Sequence, residues 1–449
     1  MMTQKETRKF SLNFLRIAGF LALQNILTYA VNILDNLMLG AYSQAALSGA
    51  AVVNQIQFIV QQFTVAGLAE GLVIFAGQFW GKRDRTSVYK ITVCSMICGI
   101  TVGMTLMIVT GLVPERIIDI FLEDETIRDQ SLQYLAIVRY SYLPFIVTSL
   151  MLACLRTMRS VRIGVTVSVV ALLVNVGLNY MLIFGKLGFP VMGIQGAALG
   201  TLAARIVEFF VVVCFFVYSQ KGGLSRGNLL PDGKKMKAYL LLSTPCVVSA
   251  LLFSCASAVH TAIFGHISAD ALAASSVSAT LYQFFKMIPV SMASAAGVLI
   301  SASVGVGDAA LIQDRTKILQ KWFVPIGVVF AALLLILSRS FAGAYALSPA
   351  AYQLSCNMLI VQSVAFVGMS YQMPCQLGII RSGGDTRYSM ISDVIYSWLY
   401  VVPLGLLATF LWKWPVEAVC FCLYSDQLFK CITVGWKTNH YTWIRELTE

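Results

Sequence analysis

The chain has 449 residues, 58 % of them apolar and 12 % charged, with a mean hydropathy of +0.77. Soluble domains average about 45–50 % apolar and about 25 % charged, so this few charges cannot cover a water-exposed globule of this size. A soluble enzyme, a disordered chain, a coiled coil and a secreted disulfide scaffold are excluded, which leaves an all-α polytopic membrane protein.

Apolar stretches long enough to span a bilayer, about 20 residues each, fall at 14–38, 46–77, 91–112, 131–153, 162–184, 192–218, 238–264, 272–303, 322–342, 353–378, 388–410 and 415–436. These twelve segments predict twelve transmembrane helices, several of them over-long and therefore tilted. The first follows Lys5, Arg8 and Lys9, as the core of a signal peptide does, but no small-residue cleavage site follows it, so it reads as a retained helix. Lysine and arginine then sort by loop. The N-terminus, the loops after segments 2, 4, 6, 8 and 10, and the C-terminus hold twenty-three of them. The opposite side holds only Arg116, Arg128, Lys186, Arg339 and Lys413. Cytoplasmic loops carry the positive excess, so both termini are expected in the cytoplasm. The net charge of +11 is thus a topology signal and does not call for nucleic acid. The sequence has no N-x-S/T sequon, which favours a prokaryotic chain in an inner or plasma membrane.

Sliding the second half of the sequence over the first by one constant shift brings related segments together. LDNLMLGAYSQAALSGAA (34–51) falls on VHTAIFGHISADALAASS (259–276), and Arg156 and Pro190 fall on Arg381 and Pro415. The expected organisation is two six-helix halves, 1–218 and 238–449, joined by a cytoplasmic linker at 219–237. An even helix number per half makes them parallel repeats, as in transporters that rock two bundles about a midplane site.

Other chemistry finds little support. There is no GxxxxGK[ST] loop for ATP. The eleven cysteines form no CxxC pair, and His260, His266 and His440 do not cluster, so no metal centre or other cofactor is expected. No nucleophile-and-base set points to a membrane enzyme.

The segments LDNLMLG (34–40), GQFWGKRD (77–84), NVGLNYMLIFG (175–185), GFPVMGIQGAALGT (188–201) and RSGGDTR (381–387) resemble the multidrug and toxic compound extrusion (MATE) family over essentially the whole chain. The resemblance implies a V of two six-helix lobes around a central cavity, and antiport of small organic molecules against H⁺ or Na⁺ by alternating access. A monomer is expected. The loop GKRDRTS departs from the pattern of the major facilitator superfamily. A flippase for lipid-linked precursors, or an exporter of one anionic or zwitterionic metabolite, is the alternative.

Charges inside membrane helices are costly and mark function by default. Asp35 is a lone carboxylate in segment 1, suited to a proton or Na⁺. Asn175 and Asn179 lie four apart, hence on one helical face. The resemblance carries a cation site onto Asp35, Asn175, Asn179 and Thr201, though an aspartate usually stands where Asn179 does. A second subgroup keeps acids on segments 7 and 10, where this chain has Phe253 and Ser370, so ion coupling is expected in the first half. Glu70, near mid-membrane, is a proton carrier or the partner of a basic group. Lys286, at the repeat position of Gln61, pairs with Glu70 or Asp35, greets an anionic substrate, or snorkels to an interface. His260 stands at the repeat position of Asp35. Tyr371 and Met373 are candidates to line an adaptable cavity with these residues. Arg205 with Glu208, and Asp426 with Lys430, read as structural pairs along single helices.

Overall fold

The structure, a computed structural model, describes residues 2–120, 124–219, 230–345 and 347–448. Among these residues eleven helices are long and apolar enough to cross a membrane. In chain order they are α1 (Gln4–Tyr42), α2 (Gln44–Gly81), α3 (Arg85–Leu112), α4 (Glu125–Thr157), α5 (Arg162–Phe184), α6 (Gly193–Ser219), α7 (Gly233–Ile267), α8 (Ala269–Val306), α9 (Ala309–Gly343), α10 (Pro349–Ile380) and α11 (Thr386–Leu411). The expected twelfth helix, α12, is present as two pieces, Val416–Tyr424 and Asp426–His440, parted at Ser425. Of the expected linker, residues 220–229 lie outside the described residues, and Gly233–Lys237 already open α7.

Helix starts follow from capping. The first N–H groups of a helix have no intrahelical acceptor, and a Ser or Asp side chain supplies one. Ser43 accepts from Ala46 N at 3.5 Å, and at the same place in the second repeat Ser268 accepts from Ala271 N at 3.0 Å. Asp84 accepts from Ser87 N at 3.0 Å, and Asp308 repeats it on Leu311 N at 3.1 Å. Several helices depart from α geometry over part of their length. π-Helical stretches occupy Gln62–Ala69 of α2, Pro374–Ile380 of α10, and Val394–Val401 of α11.

The chain divides into two compact units. The amino unit comprises Leu23–Ala76 and Asp84–Ser243. The carboxy unit comprises the chain up to Ala22, Gly77–Arg83, and everything from Thr244 on. Each has a core built from the same repeat positions. In the amino unit Leu39, Ile183, Ile194 and Ala198 pack together. In the carboxy unit Phe264, Ala408, Val419 and Leu423, their counterparts under the same shift, do so. Leu112, Phe210, Ile336 and Leu399 are exposed on their helices, as lipid-facing side chains must be.

The carboxy unit also contains a clasp. The Gln78 side chain, wholly buried at the end of α2, donates to Arg445 O at 3.0 Å and accepts from Leu447 N at 2.8 Å. Arg445 N donates to Gly383 O at 2.9 Å, and Trp443 is fully buried.

Candidate cation site

Three polar residues on α1 stand at helical spacing: Thr28, Asn32 and Asp35. α2 adds Asn54 and Gln57, α5 adds Ser168 and Asn175, and α6 adds Thr201, Arg205 and Glu208. Together with Tyr134 of α4 they line one cavity, wholly within the amino unit. Intervals of three, four and seven are one face of an α-helix, so each helix turns a short polar stripe inward. The space open to the centre of a water molecule is about 30 Å³, and one water needs about 10–15 Å³. This is room for an ion or a couple of waters, not for a drug-sized molecule.

Asp35 is partly buried and faces α5. Asn179 Nδ2 donates to Asp35 Oδ1 at 2.5 Å and lies 3.4 Å from Asn175 Oδ1. Asn175 and Asn179 are buried, at 1 % and 0 % exposure. Asn175 Nδ2, Asn179 Oδ1 and Thr201 Oγ1 make no hydrogen bond to another protein atom. Buried polar atoms are nearly always satisfied, so these three leave unused hydrogen-bonding or ligating capacity in the same part of the amino unit as the Asp35 carboxylate. Gly200 explains how α6 comes so near, because a Cβ there would overlap Asn179 Oδ1.

α6 also brings to this cavity the pair read from sequence. Arg205 Nη1 meets Glu208 Oε2 at 2.8 Å, and the guanidinium lies 5.0 Å from the Phe145 ring. The pair is therefore also part of the cavity lining, a role that the sequence reading did not give it.

The other sequence candidates stand apart from this cavity. Glu70 pairs with Arg156 Nη2 at 2.9 Å, a basic partner on α4 instead of Lys286. Gln61 sits at the entry to the π stretch of α2. In the carboxy unit Lys286 Nζ lies 4.2 Å from the Phe253 ring and forms no ion pair among the described residues. His260 Nε2 is buried without a partner. Tyr371 donates to Gln320 Oε1 at 2.8 Å, and Met373 packs against the cluster of Phe285 and Phe366.

One expected pair is replaced. Lys430 does not bind Asp426, four residues away on its own helix, but reaches across to Asp393 Oδ1 of α11 at 2.5 Å. Asp393 also accepts from Gln376 Nε2 at 2.8 Å and from the Ser249 hydroxyl. The interhelical partner wins because Asp393 offers a carboxylate already oriented by two donors.

A family model, MatE, matches residues 21–181 and again residues 245–407. The two matches are displaced by nearly the same interval that relates the caps and the cores. A probable multidrug resistance protein NorM of Thermotoga maritima is 23 % identical over 412 residues, covering 91 % of this chain and 87 % of that protein. A probable multidrug resistance protein NorM of Bacillus cereus is 22 % identical, covering 87 % and 86 %. The crystal structure of the Vibrio cholerae MATE transporter VcmN in the bent form superposes with a TM-score of 0.88 at 14 % identity, over 98 % of each chain.

Proposed function

Because the chain belongs to the MatE family of membrane transporters, we propose that it exports small organic molecules of the multidrug type by antiport with H⁺ or Na⁺. Asp35, Asn175, Asn179 and Thr201 hold the ion, and the exchange runs by alternating access. The observation that carries this reading is the Asp35 carboxylate in a cavity of ion size, ringed by three buried polar atoms without partners. Asn179 Oδ1 and Thr201 Oγ1 are oxygens, the ligand type that a hard cation takes. A single carboxylate gives the site one negative charge to neutralise.

Coupling requires that the ion bind one state of the transporter better than another. Neutralising Asp35 changes its hydrogen bond with Asn179, and Asn179 joins α1 to α5. Ion binding is thereby tied to how these helices pack. In this scheme the chain sits in the inner or plasma membrane with both termini on its cytoplasmic side, and the monomer is the working unit.

Lys286 supports a second reading of the substrate. A lysine over an aromatic ring, without a carboxylate partner, suits an anionic or zwitterionic cargo. Efflux from proteoliposomes tests both. A fluorescent cation is followed under an imposed pH gradient, then an imposed Na⁺ gradient, for wild type and Asp35→Asn. Gradient-driven efflux lost in the variant is expected and names the ion. Efflux that ignores both gradients and survives the substitution would refute the site. No cation efflux at all would favour the anionic cargo.

A further inference from the structure

The carboxy unit has buried charge of its own, which the function above does not use. Asp393, Asp426 and Lys430 stand at the repeat positions of Ser168, Thr201 and Arg205, which line the amino cavity. The duplication has thus kept a polar place in both halves and filled it differently. The amino half places one carboxylate on its first helix, at Asp35, and an arginine-paired one on its last, at Glu208. The carboxy half has His260 at the repeat position of Asp35 and carries Asp393 and Asp426 on its last two helices.

The two acids are not equivalent. Asp393 is saturated by Lys430, Gln376 and Ser249. Asp426 is 8 % exposed and takes part in no ion pair among the described residues. It accepts from Gln427 Nε2 at 2.8 Å, and Gln427 is held in turn by Gln372 Nε2 at 2.9 Å. The backbone around it is irregular on three helices. α12 breaks at Ser425 directly before Asp426, the π stretch of α11 starts directly after Asp393, and Gln376 lies within the π stretch of α10. π segments and broken membrane helices recur at functional sites.

We propose that Asp426 is a proton-binding site of the carboxy unit, beside the fixed and mutually neutralised Asp393–Lys430 pair. A buried carboxylate that no direct ion pair neutralises is costly and is relieved by taking a proton. The groups facing it are Lys430 and Cys431 on its own helix, Tyr424 before the break, Tyr282 and Lys286 from α8, and Asp393 from α11. α10 faces it through neutral Gln372. Proton uptake here would give the transporter a second titrating group beside Asp35. The inference rests on the exporter reading only for the part this proton plays in the cycle.

The test is pH-difference infrared spectroscopy on the purified full-length protein, which needs no substrate. The carbonyl stretch of a protonated carboxyl is expected to persist in Asp35→Asn and to lose one component in Asp426→Asn. Asp426→Glu should shift that component without removing it, and it decides the matter alone if the Asn variant does not fold. An unchanged spectrum in the Asn variant, or an unshifted component in the Glu variant, would overturn the proposal. So would a response to Na⁺ at constant pH with none to pH. Absent efflux with this component intact would sink the exporter reading and leave the proton site standing.

Discussion

Gly200 sets how near α6 comes to Asn179, since any larger residue there puts a methyl into the amide oxygen. Gly200→Ala is expected to destabilise the protein by about 1–3 kcal/mol, the usual cost of overpacking, and to depress ion-driven efflux. Gly177 has nothing within 4 Å of a built Cβ. Gly177→Ala should therefore be neutral or stabilising by about 0.5–1 kcal/mol, since glycine weakens a helix interior. Thermal unfolding in detergent separates the two. Glu70 and Arg156 make a different kind of test. Their side chains keep 18 % and 15 % exposure, so Glu70→Gln is expected to cost roughly 2 kcal/mol, less than the ~3–5 kcal/mol of a fully buried pair. Adding Arg156→Met should cost little more, and a double-mutant cycle in unfolding free energy reads the coupling. At this scale much of the candidate site is legible in sequence, because a carboxylate or amide in an apolar run is conspicuous. Asp35, Asn175 and Asn179 do meet. Arg205 and Glu208 look self-sufficient along their helix, and nothing local reveals that they also face a cavity. The stripe Thr28, Asn32, Asp35 is readable from its spacing, as are Asn54 with Gln57.

At the scale of the element, caps decide where helices begin: the Thr3 hydroxyl accepts from Glu6 N at 3.3 Å while Thr3 N donates to Glu6 Oε2 at 2.8 Å, so α1 starts at Gln4 and not at the first apolar residue near position 14. Asp84 shows how one cap responds to acid. Burial pushes its carboxyl up, but the hydroxyl and N–H of Ser87 donate to it and hold it below the ordinary carboxylate value. A carboxyl lowered on folding adds stability above its unfolded pKa, about 4. That stability is lost as pH falls through the folded value. Wild type should lose part of its melting temperature between pH 6 and roughly pH 3 that Asp84→Asn does not lose, because asparagine caps equally well without titrating. The spans are legible because each is a long apolar run. The π stretches and the break in α12 are not, since hydropathy sees only apolar length. The Asp426–Lys430 spacing misleads for a related reason. Four residues apart predicts a pair on one helix, and a better-oriented carboxylate on another helix is invisible to spacing.

For the molecule as a whole, the repeat interval is written in the sequence and recurs in caps, cores and family matches. Which residues join which compact unit is not, because α1, α2 and α7 each contribute to both. Trp443 belongs to this level, since it anchors the segment after α12 to the carboxy unit. Trp443→Ala is expected to cost about 3–5 kcal/mol, as for other fully buried aromatic residues, read as a lowered melting temperature. The Gln78 clasp joins groups 367 and 369 residues apart. During translation Gln78 is made early, whereas Arg445 and Leu447 leave the ribosome only after α1 to α12 have done so. Contacts so distant along the chain form late. α1 to α12 can therefore be inserted while the end of α2 still waits, and emergence of the segment beyond α12 is what lets the clasp close. A transcript truncated just before Trp443 would encode α1 to α12 and still never close it.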